Sequence, residues 1–389
     1  LRALRDPEGG FPVSIHLNGQ WSGRYQGTNT GLLVVNLDDQ GSYYEGHAFA
    51  FDDNPMLTPT IGYIRTLDKS PAQTLTVPLQ TLSSTGEVLS AEQANALYPT
   101  IQTPNSASVI MALQDSVLHV SATMNIPTQI SAELPRTRAG DPSEYVPLAD
   151  IRSWKQFKEE VVKMSLDRLI FRGQDTRHRL RTSYHRTGRA AFGLYLNNDI
   201  RDLHLRLSAR TRHIFNIDIP AELGSFVSLA QHHGYPTPLL DWTYSPFIAA
   251  FFAYRRIKRE AVLNAGPDDR VRLFIFDHVG WAEKQQPVLS LAPHTPHISI
   301  LKSLPIDNER VIPQQSVTTV TNVDDIEGHI QEAEAAINGE YLWVVDLPIG
   351  ERPLVMRELA TMGITAGAMF PSLDGTCEEQ KERLFPVRL

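Results

Sequence analysis

The chain has 389 residues, 42% of them hydrophobic and 21% charged, a composition that suits a folded globular protein and excludes wholesale disorder. Its length exceeds what one hydrophobic core usually organises and predicts two domains. A formal charge of -8, from 36 basic and 44 acidic residues, excludes any global attraction to nucleic acid or anionic lipid and leaves only a locally basic face for phosphate contacts.

From Gly9 to about Arg138 the sequence is rich in Thr, Ser, Val, Gly and Pro and carries short alternating stretches. Trp21-Ser-Gly-Arg-Tyr-Gln-Gly, Leu32-Leu-Val-Val-Asn-Leu, Tyr43-Tyr-Glu-Gly-His-Ala-Phe-Ala-Phe, Thr74-Leu-Thr-Val-Pro and Ser108-Val-Ile-Met-Ala-Leu predict strands, since β-branched and aromatic residues suit a pleated surface. Asp38-Asp-Gln-Gly and Asp52-Asp-Asn-Pro read as turns between them. An N-terminal antiparallel β sandwich or barrel over residues 1–140 is expected. Leu134 to Pro147, with Pro135, Gly140, Pro142 and Pro147, is expected to be the linker, and residues 148–389 a second, mixed α+β domain.

In that second part Ser153-Trp-Lys-Gln has capping-box spacing ahead of a helix that places Phe157, Val161 and Met164 on one face. Asp167-Arg-Leu-Ile-Phe-Arg-Gly predicts a strand that breaks at Gly173. Helical spacing then runs from Asp199 to Phe215, and a further helix over Phe226 to His233 stops at Gly234. Ser245 and Pro246 open an apolar helix through Phe247, Phe251 and Tyr254, with Arg255, Arg256, Lys258 and Arg259 at its negative end. Later strands are expected at Val271 to Phe276, at Arg310-Val-Ile followed by Val317-Thr-Thr-Val, at Leu342-Trp-Val-Val and at Ala366 to Phe370. Helices are expected over Asp324 to Ile337, Pro353 to Met362 and after Asp374.

One cysteine, Cys377, excludes an internal disulfide and a multi-cysteine zinc site and fits a reducing compartment; its neighbours Glu378 and Glu379 disfavour a reactive thiolate. No metal is expected, because His232 and His233 have no second ligand cluster at metal-binding spacing. No apolar run reaches the roughly 18 residues of a membrane span, so a cytoplasmic protein without a membrane partner is expected. The opening Leu-Arg-Ala-Leu-Arg lacks the apolar core of a signal peptide, and the absence of an initial methionine predicts that a segment upstream was removed or left out.

Several residues around these elements carry chemistry. Singly, each has an ordinary structural role: His232 and His233 suit a helix C-terminus, Asp241 a turn cap, Trp242 a core and Arg172 an ion pair. Together, Phe171-Arg172-Gly173-Gln174 and the run from Leu229-Ala-Gln-His-His-Gly to Asp241-Trp-Thr-Tyr-Ser-Pro-Phe-Ile-Ala-Ala-Phe-Phe-Ala resemble the two signature blocks of the FRG domain, named for its Phe-Arg-Gly motif. Asn308-Glu-Arg-Val-Ile-Pro-Gln314-Gln-Ser resembles a third block, with Val311 for an isoleucine and Ser316 for a glycine; Gly363 to Gly375 resembles the closing strand and turn.

The order of these blocks is also similar, distantly, to the ADP-ribosyltransferase fold. That resemblance implies an NAD-dependent ADP-ribosyltransferase or NAD glycohydrolase, with NAD as substrate, in a bacterial toxin, effector or phage-defence factor. It implies Arg172, Gly173, Gln174, Asp241, Trp242, Thr243, Tyr244 and Ser245 around the dinucleotide, with the Arg172 fork and the amides at the Ser245 helix start on its diphosphate. Trp242 or Tyr244 is expected to stack on a base. Glu309 or Gln314 faces the ribose, and the sequence leaves both open; His232 and His233 serve the acceptor. The competing expectation is a non-catalytic nucleotide- or nucleic-acid-binding module. The basic loop Arg177 to Arg189 would contact a protein or nucleic-acid partner.

Overall fold

The computed structural model describes residues 16–83, 85–285, 287–288, 295–302 and 304–385 and divides into two compact units. The first holds the chain up to Thr137 together with Gly188–Tyr195; the second begins at Arg138 and holds most of the remainder. No helix among the described residues is long and apolar enough to cross a membrane.

The strands of the first unit are β1 (Gly19–Gly27), β2 (Gly31–Asp39), β3 (Tyr44–Asp52), β4 (Thr60–Arg65), β5 (Ala72–Leu82), β6 (Val88–Leu89), β7 (Ser106–Gln114), β8 (Val117–Met124) and β9 (Gln129–Pro135). Alternation of buried and exposed residues runs through most of them, with β2 buried along nearly its whole length. All neighbours pair antiparallel. β9 returns to β1, through Tyr25 opposite Ala132, and β4 pairs with β5, so eight strands close into a barrel with β6 appended to the end of β5. Closure removes the exposed edges that a sandwich would leave. Asp115 and Ser116, both at positive φ, make the two-residue turn from β7 to β8 that matches the strand twist. Pro135 ends β9 opposite Val117, so the expected linker starts with the last strand of the barrel. Asp38 on β2 is 1% exposed and accepts from the backbone amides of Ala190 (2.7 Å) and Ala191 (2.9 Å) and from Arg189 Nε (2.6 Å).

The second unit is a six-stranded antiparallel sheet with helices on both faces. Its strands are β10 (Leu169–Gln174), β11 (Leu239–Thr243), β12 (Arg270–Asp277), β13 (Ile298–Leu301), β14 (Ser316–Thr321) and β15 (Leu342–Pro348), in spatial order β13-β14-β11-β10-β12-β15. Taking Ala91–Leu97 of the first unit as α1, the principal helices that follow are α2 (Trp154–Val161), α3 (Ile200–Leu207), α4 (Pro220–His232), α5 (Pro246–Arg255), α6 (Ile326–Ile337), α7 (Arg352–Thr361) and α8 (Leu373–Leu384). Successive residues of a strand face opposite sides. Phe171, Leu273 and Val345 accordingly join Trp154, Phe157, Phe251, Val355 and Leu359 in one core, and Ile170, Phe274 and Val344 join Trp281, Ile326 and Ile330 in the other.

Three expected elements differ. Residues Ala366–Met369 form a helical turn instead of a strand, because Thr365 caps it by accepting from Ala368 N. Arg310-Val-Ile lies in a turn, and the strand starts at Ser316. The helix expected over Asp199 to Phe215 ends at Leu207, and His204 Nε2 meets the Phe215 carbonyl at 2.7 Å where the chain folds back.

The tightest contact in this unit fixes the residue at 173. A Cβ there would stand 1.9 Å from the Ala249 carbonyl oxygen and 2.8 Å from Ala253 N, so α5 can lie on β10 only over a glycine. Gly173→Ala is therefore expected to destabilise the second unit by about 3 kcal/mol or more. A urea titration followed by tryptophan emission reads this, since Trp154, Trp242, Trp281 and Trp343 all belong to that unit.

Candidate functional site: a cationic cavity beside β10 and β11

Strand β10 ends in Arg172, Gly173 and Gln174, and β11 brings Asp241 to Thr243 alongside, pairing at Phe171 opposite Thr243. With these ends at its floor, a cavity of about 870 Å3 opens, walled by Gln231 and His232 at the end of α4, by Ala249, Phe252, Arg255 and Arg256 of α5, and by Arg310, Gln314 and Phe370. Its volume falls in the range of small-molecule and cofactor sites.

Arginine dominates the lining. Among the described residues, Arg172, Arg179, Arg181, Arg186, Arg255, Arg256 and Arg310 face the cavity together with two carboxylates, Asp175 and Asp241. Three of these cations have fixed acidic partners. Arg179 bonds Asp325 (2.9 and 3.0 Å) and Glu144, Arg181 holds Asp324 with two bonds (2.5 and 3.0 Å), and Arg255 holds Glu378 with two (both 2.6 Å). Arg172, Arg186, Arg256 and Arg310 have no carboxylate at ion-pair distance among the described residues. Arg310 instead donates to the His232 carbonyl (3.0 Å), and both Arg255 and Arg310 lie over the Phe370 ring.

Arg172 is the most constrained. One terminal nitrogen donates to the Asp241 carbonyl oxygen at 2.6 Å, while its buried Nε has no acceptor. Burial lowers its guanidinium from the ordinary value to about 10; the Asp241 carboxylate opposes that shift and Arg186 adds to it. It remains charged at neutral pH, with its desolvated Nε donor unmet among the described residues. Asp241 Oδ1 accepts from Gln231 Nε2 (2.5 Å), and Gln231 Oε1 accepts from the Thr237 hydroxyl, so the carboxylate is held in place at the cavity wall. Burial also lowers the His232 imidazole, against the pull of Asp241 and with help from Arg310 and His233.

Of the residues expected at the site, Arg172, Gly173, Gln174, His232, Asp241, Trp242, Thr243 and Gln314 line this cavity, whereas His233, Tyr244, Ser245 and Glu309 do not. Gln314 donates its side-chain amide to the Met369 carbonyl (2.8 Å) and its own carbonyl accepts from Thr243 Oγ1 (2.7 Å). Trp242 is 4% exposed, stacks on Phe276 at 5.5 Å and donates to Thr319 Oγ1, so its ring belongs to the core and is not free for a base. Tyr244 lines a separate cavity with His278, its ring 5.9 Å from that imidazole. Ser245 caps α5 by accepting from Ile248 N. The cavity meets the flank and the far end of α5, not its N-terminus, because the Gly173 contact falls at mid-helix. His233 is the C-cap residue of α4.

The basic loop is largely neutralised within the fold. Arg177 pairs with Asp346 (3.3 Å), Arg179 and Arg181 pair as above, His185 is buried on Thr182 (2.7 Å), and Arg189 binds Asp38 in the first unit. Arg186 alone of its arginines is left facing the cavity without a carboxylate partner among the described residues. Gln231, Arg256, Arg310 and Phe370, which were given no role at the site, complete the wall; Gln231, Arg310 and Phe370 lie inside the quoted blocks and Arg256 among the basic residues that end the Ser245 helix.

Residues 167–261 match the family model of the FRG domain. Over that stretch the chain is similar to the FRG domain. None of the curated proteins compared with the chain matches it. The FRG match spans β10 to the end of α5 and so contains Arg172, Arg186, His232, Asp241 and Arg256, while Arg310, Gln314 and Phe370 close the cavity from beyond it.

The depressed His232 has a measurable consequence. Its imidazole is expected to titrate below the ordinary value of about 6.5, so the second unit loses stability as pH falls from about 6.5 through the folded-state midpoint, where the unfolded chain takes up the proton first. Histidine ring NMR, with the resonance assigned by His232→Asn, should show a midpoint below 6.5.

Proposed function

We propose that the cavity of the FRG domain binds NAD through its diphosphate and cleaves the bond between ribose and nicotinamide, passing ADP-ribose to a macromolecule or to water. The single observation that carries this reading is the set of four guanidiniums, Arg172, Arg186, Arg256 and Arg310, that face one cavity without carboxylate partners and beside a fixed carboxylate, Asp241. Guanidinium forks suit phosphate oxygens, and clustered cations in a partly enclosed site raise the local potential for an anion.

In the reaction the C1′–N1 bond of the nicotinamide riboside breaks and nicotinamide departs with the bonding electrons. A nucleophile adds at C1′ and releases its proton. The ribose passes through an oxocarbenium-like state, which a carboxylate stabilises. We assign that part to Asp241, the lining carboxylate held by a side-chain amide; of the two residues the sequence left open, Gln314 lines the cavity and Glu309 does not. His232, kept neutral by burial, is the base at hand for the acceptor proton. An NAD-consuming domain joined to a β-barrel suits a toxin, effector or phage-defence factor, a role that rests on architecture alone.

A second reading, a nucleotide-binding module without catalysis, is favoured by the internal hydrogen bonds of Gln314 and by the absence of Glu309 from the cavity wall. The two separate on incubating the full chain with nicotinamide-labelled NAD and with protein, RNA and DNA acceptors. The enzymatic reading predicts nicotinamide release that falls at least 100-fold in Asp241→Asn with NAD still bound, and NAD binding at least tenfold weaker in Arg172→Ala. Salt-sensitive, Arg172-dependent binding with the glycosidic bond intact supports the second reading. If NAD does not bind, the enzymatic reading fails.

A further inference from the structure

The barrel of the first unit is not filled evenly along its length. At one end Trp21, Leu37, Tyr44, Leu118 and Leu134 are at most 1% exposed and pack the space between the strands. Elsewhere the inward positions are small: Ala48 and Ala50 on β3, Gly62 on β4, Ala107 on β7 and Ala122 on β8. Register sets them side by side with modest neighbours, Ala48 opposite Gly62, Val77 opposite Ala107 and Val109 opposite Ala122. A cavity of about 180 Å3 remains among them. Ala48, Ala50, Leu79 and Met124 pack against the core yet stay partly exposed, so the cavity is open to solvent.

An eight-stranded barrel is just wide enough to be filled by side chains or to hold one small ligand, and here the run of alanines and a glycine decides for the second. An apolar cavity of about 150 Å3 is known to stay dry and to take up benzene. The wall of this one is aliphatic and thioether, from Leu33, Val35, Val77, Val109, Met111 and Met124. Its ionisable lining residues are Tyr25 and Asp52, and no lysine, arginine or histidine lines it among the described residues. The Tyr25 hydroxyl donates to Asp52 Oδ2 at 3.0 Å, and Asp52 Oδ1 accepts from Asn54 N. A lone carboxylate with neutral polar neighbours such as Thr58, Thr60 and Gln102 repels an anionic head group and accepts from a donor.

We propose that the barrel binds a small apolar molecule of about nine heavy atoms, uncharged or cationic, whose hydrogen-bond donor meets Asp52 at the cavity wall. This site lies wholly within the first unit and stands independently of the NAD reading.

Three probes of similar size test it by calorimetry on the full chain: 2-phenylethanol, 2-phenylethylamine and phenylacetate. The first two are expected to bind saturably at one site, and phenylacetate at least tenfold more weakly. Ala50→Phe, which fills the cavity, should abolish binding with the far-ultraviolet circular dichroism unchanged. Should that variant not fold, Asp52→Asn decides: it is expected to narrow the preference for 2-phenylethylamine over phenylacetate at least threefold. The proposal is overturned if no probe binds saturably, if phenylacetate binds as tightly as the others, if a folded Ala50→Phe binds like the parent, or if Asp52→Asn leaves the preference unchanged.

Discussion

The approach of α5 to β10 at Gly173 sets the architecture of the second unit. With the Ala249 carbonyl standing where a side chain would begin, strand and helix meet backbone to backbone, and this close seat fixes which part of α5 looks onto the end of β10. Ala249 and Phe252 face the cavity from the helix flank, and Arg255 and Arg256 arrive at its end. A wider helix-to-sheet spacing would place the same arginines elsewhere. The Arg-Gly pair of the motif thus has a division of labour: the glycine admits the helix, and the arginine before it reaches across to the Asp241 carbonyl.

Electrostatics follows from that packing. Asp324, Asp325 and Glu378 stand behind the cavity and each holds an arginine in a fixed pose, which keeps several positive groups close together without collapse of the fold. Mutual repulsion among guanidiniums in a confined space is unfavourable unless something negative relieves it. The buried Nε of Arg172 has no acceptor, and Arg186, Arg256 and Arg310 have no carboxylate at ion-pair distance, among the described residues. Arg186 itself is pulled down mainly by burial and further by Arg181, the electrostatic trace of this crowding.

Much of the fold was legible because its strands alternate and its helices carry caps. The stretches around Trp21, Leu32, Tyr43, Thr74 and Ser108 are strands, and the barrel was one of two forms that their texture allowed. The pairing of β4 with β5 decides between them, and pairing partners distant in sequence leave no mark on local pattern. At Ala366 the expected strand has little support in composition, since Ala and Gly are poor strand formers, and Thr365 caps a helical turn there. In the site, the motif blocks located Arg172, His232 and Asp241, but not which neighbours share their cavity. Trp242 packs into the core, Tyr244 lines a different cavity, and Glu309 lies off the cavity wall. The basic loop looked free because its acidic partners, Asp324, Asp325 and Asp346, come from more than a hundred residues further along the chain.

The position of Asp38 bears on how this protein can be divided. Its carboxylate is shut away from water and satisfied by Arg189 and by the amides of Ala190 and Ala191, residues that sit inside the FRG match in sequence yet belong to the barrel unit in space. A single cut near Thr137 would strip that anion of these three donors. The covalent order of the chain therefore interlaces the two units, and neither can be inherited, exchanged or expressed as a simple contiguous cassette without rebuilding that anchor.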